Sequence, residues 1–132
     1  MHAIEATVDE NLAETEARIR RALADEGFGV LTEIDVAATL RAKLGVERPA
    51  LKILGACNPS FAHRALEADP AVSYVLPCNV VLEDVGGGRT HVAIADPRAL
   101  LGAFTGARHD ELEELGAEAA GRLEHALSAL GA

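Results

Sequence analysis

The sequence predicts an α+β fold, a two-layer sandwich in which helices pack on a mixed sheet of about five strands. Three observations support this prediction. Apolar residues alternate with polar ones in several short segments, they recur every three or four residues in others, and two alternating segments flank Gly86-Gly87-Gly88. The glycine triplet indicates a β-hairpin. Because a hairpin joins antiparallel strands, we expect a sheet that is not purely parallel.

The first half of the chain alternates strands with helices. An apolar stripe with steps of three and four indicates the first helix, and Gly27 is suited to end it. Asp35 has the chemistry of an N-cap for a shorter second helix, which Gly45 ends. The predicted elements are a strand at residues 2–6, a helix at 8–26, a strand at 28–34, a helix at 36–44 and a strand at 49–56.

The third helix begins at Asn58 and Pro59, which have the chemistry of an N-cap and of a first helical residue. Asp69, followed by a proline, ends this helix. An apolar segment at 72–76 then precedes the two hairpin strands, which we expect at residues 78–85 and 90–95.

The C-terminal part is helical and divided in two. Asp96 and Pro97 start a short helix, and Asp110 with Glu113 resembles a capping box at the start of a last amphipathic helix, at about residues 110–130. The predicted order is therefore βαβαβαββα. No linker is long enough to separate a second domain, so residues 1–132 form a single domain.

Charge and composition exclude two classes of partner. The chain has 12 basic and 21 acidic residues, a net charge of −9, which repels nucleic acid and anionic lipid. No apolar run approaches the roughly 20 residues that span a bilayer, and the N-terminus does not resemble a signal peptide. We therefore expect a cytoplasmic protein with two free thiols and no disulfide.

The candidate site is the turn at Cys57-Asn58-Pro59, where a strand runs directly into a helix. The positive end of the helix dipole stabilises a bound anion or a thiolate, so this turn could hold a small anionic ligand or a reactive Cys57. The alternative is a small buried residue in a tight turn. A second motif, Leu76-Pro77-Cys78-Asn79, contains the other cysteine, and its Pro77, Cys78 and Asn79 join the candidate ligand-binding residues.

A redox pair of Cys57 and Cys78 faces a geometric objection. If the helix after Pro59 crosses over to a parallel strand, the two cysteines lie at opposite edges of the sheet. A strand of ordinary length is roughly 17 to 20 Å long, and a disulfide needs Cα atoms within about 7 Å. The sequence therefore argues against a disulfide.

Lys52 and His63 are weaker candidates. Lys52 lies within an apolar strand, which indicates an edge strand or, as the alternative, an anion ligand in a pocket. His63 is six residues after Cys57, but its i+4 relation to Glu67 favours a solvated side-chain pair. No Cys or His spacing typical of a metal site is present, so we predict neither a metal nor a cofactor.

One face of the predicted sheet is too apolar to face water. The alternation places on it Gly29, Leu31, Val81, Ala93 and Ala95. Either the C-terminal helix or a second copy of the chain must cover this face. We expect a homodimer.

Four segments carry a family resemblance. They are Gly27-Phe28-Gly29-Val30, Ile53-Leu54-Gly55-Ala56-Cys57-Asn58-Pro59 with Ala62, Leu76-Pro77-Cys78-Asn79-Val80, and Ala95-Asp96-Pro97. Together they resemble the prokaryotic domain of unknown function 302 family over about residues 3–104. The resemblance implies a small α+β domain that is often cytoplasmic and dimeric, and it implies no activity. The C-terminal helix is less typical of that family.

Three hypotheses on function follow. The first is a homodimeric, non-catalytic binding or accessory protein with a small-anion site at the helix start after Cys57. The second is a thiol-dependent redox protein or enzyme that uses Cys57, with Cys78 as its partner. The third is a module that acts through protein interactions alone.

Overall fold

The computed structural model describes residues 2–131. It contains one sheet with the strand order β1-β5-β4-β3-β2, and neighbouring strands are antiparallel throughout. The strands are β1 (Ala3–Val8), β2 (Gly29–Asp35), β3 (Leu51–Cys57), β4 (Cys78–Gly86) and β5 (Arg89–Ala95); the α-helices are α1 (Leu12–Asp25), α2 (Val36–Leu44), α3 (Pro59–Ala68), α4 (Pro97–Gly102) and α5 (His109–Ser128).

The predicted α+β class and the order of the elements are confirmed. The sheet differs from the prediction in one respect, because it is antiparallel where a mixed sheet was expected. The helices that follow β2 and β3 do not cross over to parallel strands. Each returns the chain at the end of the sheet where it left, so the next strand runs in the opposite direction.

Side-chain caps set most of the helix starts. Asn11 accepts a hydrogen bond from the backbone N–H of Glu14, so α1 begins at residue 12, later than predicted. Asp35 and Asp96 cap α2 and α4 in the same way, as expected.

One local prediction is wrong, and one segment without a predicted element is helical. The last helix begins at His109 after Arg108, which makes no capping hydrogen bond with its side chain, so Asp110 and Glu113 lie inside α5 and form no capping box. The apolar segment before Pro77 belongs to a 3₁₀ helix, Pro70–Val75, whose start is capped by Asp69.

The hydrophobic core lies between one face of the sheet and helices α1 and α5. Even-numbered residues of β1, β3, β4 and β5 point into it, since side chains alternate along a strand. In β2 a register shift between Val30 and Thr32 breaks this alternation, so Ile34 lies on the other face. Its fully buried members include Ile19, Leu23, Leu54, Val80, Leu82, Val92, Ile94 and Leu123. A second, smaller cluster joins α3, the 3₁₀ helix, α4 and the start of α5. Both α1 and α5 therefore cover the same face of the sheet.

The opposite face carries an apolar row that crosses four strands. The strand register aligns Ile34, Ile53, Val81 and Ala93. Ile34 is 51% exposed and the other three are half-buried. The C-terminal helix α5 packs on the other side of the sheet, so it does not cover this face, which was one of the two expectations from sequence.

Gly55 allows β3 to pass beneath two side chains. A Cβ at this position would overlap Thr32 Oγ1 and would lie 2.6 Å from Cγ of Pro77. The strand thus requires a residue without a side chain here, for lack of space and not for a special backbone angle.

We predict that Gly55→Ala destabilises the protein by about 1 to 3 kcal/mol, the usual cost of overpacking. The matched control is Gly29→Ala in β2, where a Cβ meets no atom within 4 Å. Urea unfolding followed by circular dichroism measures both. Equal stability of the two variants would contradict the close contact at Gly55.

Candidate functional site

The two cysteine motifs meet at one end of the sheet. Because β3 and β4 are antiparallel, Ala56 is the partner of Cys78, and Cys57 is the next residue along β3. The expectation that Cys57 and Cys78 lie at opposite edges is therefore wrong. The expectation assumed a parallel crossover, but α3 and the 3₁₀ helix return the chain to the same end of the sheet that β3 reached. Both cysteines are free thiols.

Both cysteines line a partly open cavity of about 40 Å³. Its walls come from the end of the sheet, α3, the 3₁₀ helix, α4 and α5, and they are almost entirely apolar. The lining residues are Phe28, Ala56, Cys57, Asn58, Phe61, Ala62, Ala65, Val72, Val75, Leu76, Cys78, Pro97, Leu100, Leu101, Leu115 and Ala119. The rings of Phe28 and Phe61 lie 6.3 Å apart. The volume exceeds the minimum of about 10 to 15 Å³ that a single water needs.

Burial keeps the two thiols protonated. It raises the pKa of Cys57, and it raises the pKa of Cys78 to about 11, with the nearby charge of Cys57 as a second cause. A nucleophilic cysteine needs the opposite shift. The position of Cys57 before a helix therefore does not outweigh its loss of solvation.

Asn58 connects the start of α3 to the end of α1. Its Oδ1 accepts a hydrogen bond of 3.3 Å from the N–H of Phe61, and its Nδ2 donates one of 3.4 Å to the carbonyl of Glu26. The side chain is buried, and both of its polar groups have partners. The N–H of Phe61 that a bound anion would use is thus already paired, while Pro59 is exposed at the first helical position.

Two arginines lie over the ring of Phe61. The guanidinium carbon of Arg122 is 5.3 Å from the ring centre, and that of Arg64 is 6.0 Å away. Arg122 also donates a hydrogen bond of 3.4 Å to the carbonyl of Glu26, the same oxygen that Asn58 contacts. Arg122 is not among the residues predicted from sequence, because no sequence pattern within α5 distinguishes it from the other charged residues of that helix.

Three other candidate residues lie outside the cavity lining. Pro77 follows a cis peptide bond and packs against Gly55 on the open side of the sheet. Asn79 is exposed and pairs with Gly55 in the register. His63 is exposed on a separate charged cleft of about 290 Å³ between α3 and α5, which it lines together with Glu67.

Lys52 is neither an edge residue nor a pocket ligand. β3 is an inner strand between β4 and β2, so the edge prediction is wrong. Its Nζ lies 2.8 Å from Oε1 of Glu16 and also pairs with Glu33. Burial acts to raise the pKa of Glu16, but hydrogen bonds from Lys52 and Arg20 outweigh it and hold that pKa below its usual value. Lys52 therefore ties α1 to the sheet.

Within residues 2–131, no group of three or more His, Cys, Asp or Glu side chains is arranged to hold a metal ion. Over the same residues, the helices are each too short or too polar to cross a bilayer.

The fold and the sequence pattern define the family. The pattern of the family described as "Domain of unknown function DUF302" matches residues 4–130, so the chain belongs to this family. It is similar to the crystal structure of an uncharacterised conserved DUF302 protein from Bacillus stearothermophilus, with 32% identity and a TM-score of 0.87. The alignment covers 98% of each chain. No curated protein matches the chain.

The match extends to residue 130, so the family's domain includes α5. The resemblance from sequence had placed this helix beyond the family-like core. Its packing explains the difference, since α5 supplies Leu123 and Leu127 to the main core and Leu115 and Ala119 to the cavity.

We predict a specific loss of stability at high pH. The folded state holds the Cys78 proton more tightly than the unfolded chain, and this difference contributes to the free energy of unfolding. The contribution is complete below pH 9.0, the ordinary pKa of the thiol, and is lost as the pH rises toward its raised pKa of about 11. Urea unfolding of the wild type and of Cys78→Ala at several pH values measures it. The difference in unfolding free energy between the wild type and Cys78→Ala should change by about 2 to 3 kcal/mol across this pH range. A difference that stays constant with pH would contradict the burial of this thiol.

Proposed function

We propose that this protein is a non-catalytic binding domain that holds a small ligand in the cavity between Cys57, Phe61 and Cys78. One observation carries the proposal, namely a cavity on which both cysteine motifs converge. An apolar, partly open pocket with few polar groups is typical of small-molecule sites.

The chemistry of the lining supports binding over catalysis. Its polar members are Cys57, Asn58 and Cys78. The pKa values of both thiols are raised, and the Asn58 amide is engaged at both ends. General acid–base and nucleophilic catalysis need a group that titrates near neutral pH or a stabilised thiolate. The fold brings the two cysteines to one cavity, which favours the thiol-dependent hypothesis. Burial, however, disfavours the reactive thiolate.

We predict that small probes enter this cavity. In NMR titrations with n-butanol or butyrate, shifts of amide signals should concentrate at Phe61, Val72 and Cys78. Ala62→Leu, which fills the cavity from α3, should weaken binding about tenfold or more, because it removes the space that the probe occupies.

The matched control is Ala117→Leu, an exposed position of α5 that is not among the lining residues. It should bind like the wild type. If neither probe shifts these signals, or if both variants bind equally well, the proposed binding function is wrong.

We also propose that two copies pair through the open face of the sheet. The row of Ile34, Ile53, Val81 and Ala93 supports this, since it is continuous across four strands on the side away from α1 and α5. Charged neighbours of the row are paired within the chain, as in Glu83 with Arg48. Such pairs reduce the like-charge repulsion between two copies at this face.

We predict that light scattering after size-exclusion chromatography gives twice the chain mass of 13.8 kDa. Ile34→Glu should produce monomers, because it places a charge in the apolar row at the exposed residue of β2. Tyr74→Glu is the control, since Tyr74 is 84% exposed on the 3₁₀ helix among the helices. A monomeric wild type at high concentration would contradict the dimer. A dimer whose cavity binds no probe would favour a module that acts through protein interactions alone.

A further inference from the structure

The cavity selects for a ligand with an apolar body of small size. Almost all of its wall is carbon, with Phe28, Val72 and Leu101 among the buried lining residues. A polar group placed deep inside would lose its hydration without gaining hydrogen bonds. The volume of about 40 Å³ limits this body to a short aliphatic chain.

A cation lies beside the cavity. Arg122 is over the ring of Phe61, and Ala119, one helical turn earlier on α5, lines the wall. Arg122 and the lining residue Asn58 donate to the same carbonyl, that of Glu26. The guanidinium therefore lies next to two lining residues, Asn58 and Phe61.

The guanidinium of Arg122 has more N–H donors than its hydrogen bond to Glu26 uses. Its bond of 3.4 Å to a neutral carbonyl is long, and a guanidinium carries five N–H donors. Two acidic residues close to Arg122 have other partners: Glu26, whose backbone carbonyl it contacts, and Glu118, four residues earlier on α5. Glu26 contacts His125 at 2.7 Å, and Glu118 lies 3.6 Å from Arg64. Within residues 2–131, Arg122 forms no ion pair with a carboxylate, unlike Arg64 on the other side of the same ring.

We infer that the ligand is a small amphiphilic carboxylate, whose alkyl body fills the apolar cavity and whose carboxylate pairs with Arg122. This inference rests on the proposed binding function and adds the class of ligand. A guanidinium matches a carboxylate with two parallel hydrogen bonds. The small-anion site predicted at the start of α3 is thereby moved, since Asn58 already occupies the N–H of Phe61 and Arg122 supplies the positive charge.

Isothermal titration with butyrate, n-butanol and acetate tests the inference on the wild type and two variants. Butyrate should bind about tenfold more tightly than n-butanol, the effect of one charge-assisted hydrogen-bonded pair. Acetate lacks most of the alkyl body and should bind more weakly than butyrate. Arg122→Gln should remove the preference for butyrate and leave n-butanol binding unchanged.

The control Arg64→Gln removes the other cation over Phe61 and should keep the preference. Higher salt should weaken butyrate binding and leave n-butanol binding unaffected. Equal binding of butyrate and n-butanol to the wild type, or the same preference in Arg122→Gln, would overturn the inference while the cavity remains a binding site. Binding of neither probe would overturn the proposed function itself.

Discussion

The antiparallel pairing of β3 with β4 is the constraint on which the rest of the site depends. It places Ala56 opposite Cys78 and so brings the two cysteine motifs to one end of the sheet. The chain between these strands forms α3 and the 3₁₀ helix, which fold over that end and enclose the cavity. A parallel partner for β3 would have separated the cysteines by the length of a strand.

A core with few aromatic residues makes close approach of helices possible and also leaves space between them. Aromatics are 3% of the chain, and the buried helical residues include alanines of α1, α3 and α5. At Gly116 of α5, a Cβ would lie 3.0 Å from the carbonyl oxygen of Pro97, so α4 and α5 pack nearly backbone to backbone. Ala62, Ala65 and Ala119 line the cavity, and their small side chains leave its space unfilled.

Charged side chains serve two different purposes around this core. Lys52 with Glu16 fastens α1 to the sheet, and its partial burial makes the pair a structural link. Arg122 contacts the ring of Phe61, which lines the cavity, and the backbone carbonyl of Glu26. The cysteines serve packing in the same way, because burial raises the pKa of both and favours neutral thiols over reactive thiolates.

The sequence by itself determined the order of the elements, the caps at Asp35 and Asn58, and the two cysteine motifs as the place to look. These features depend on local periodicity and on the chemistry of single turns, which neighbouring residues encode. Only the tertiary structure decided that β3 is an inner strand, that Cys57 and Cys78 share a cavity, and that Arg122 lies beside it. These depend on strand pairing and on contacts between residues far apart in the chain, for which a local pattern carries no signal. The strand-to-helix turn at Cys57 is thus recognisable from sequence, but its chemistry depends on what the fold packs around it.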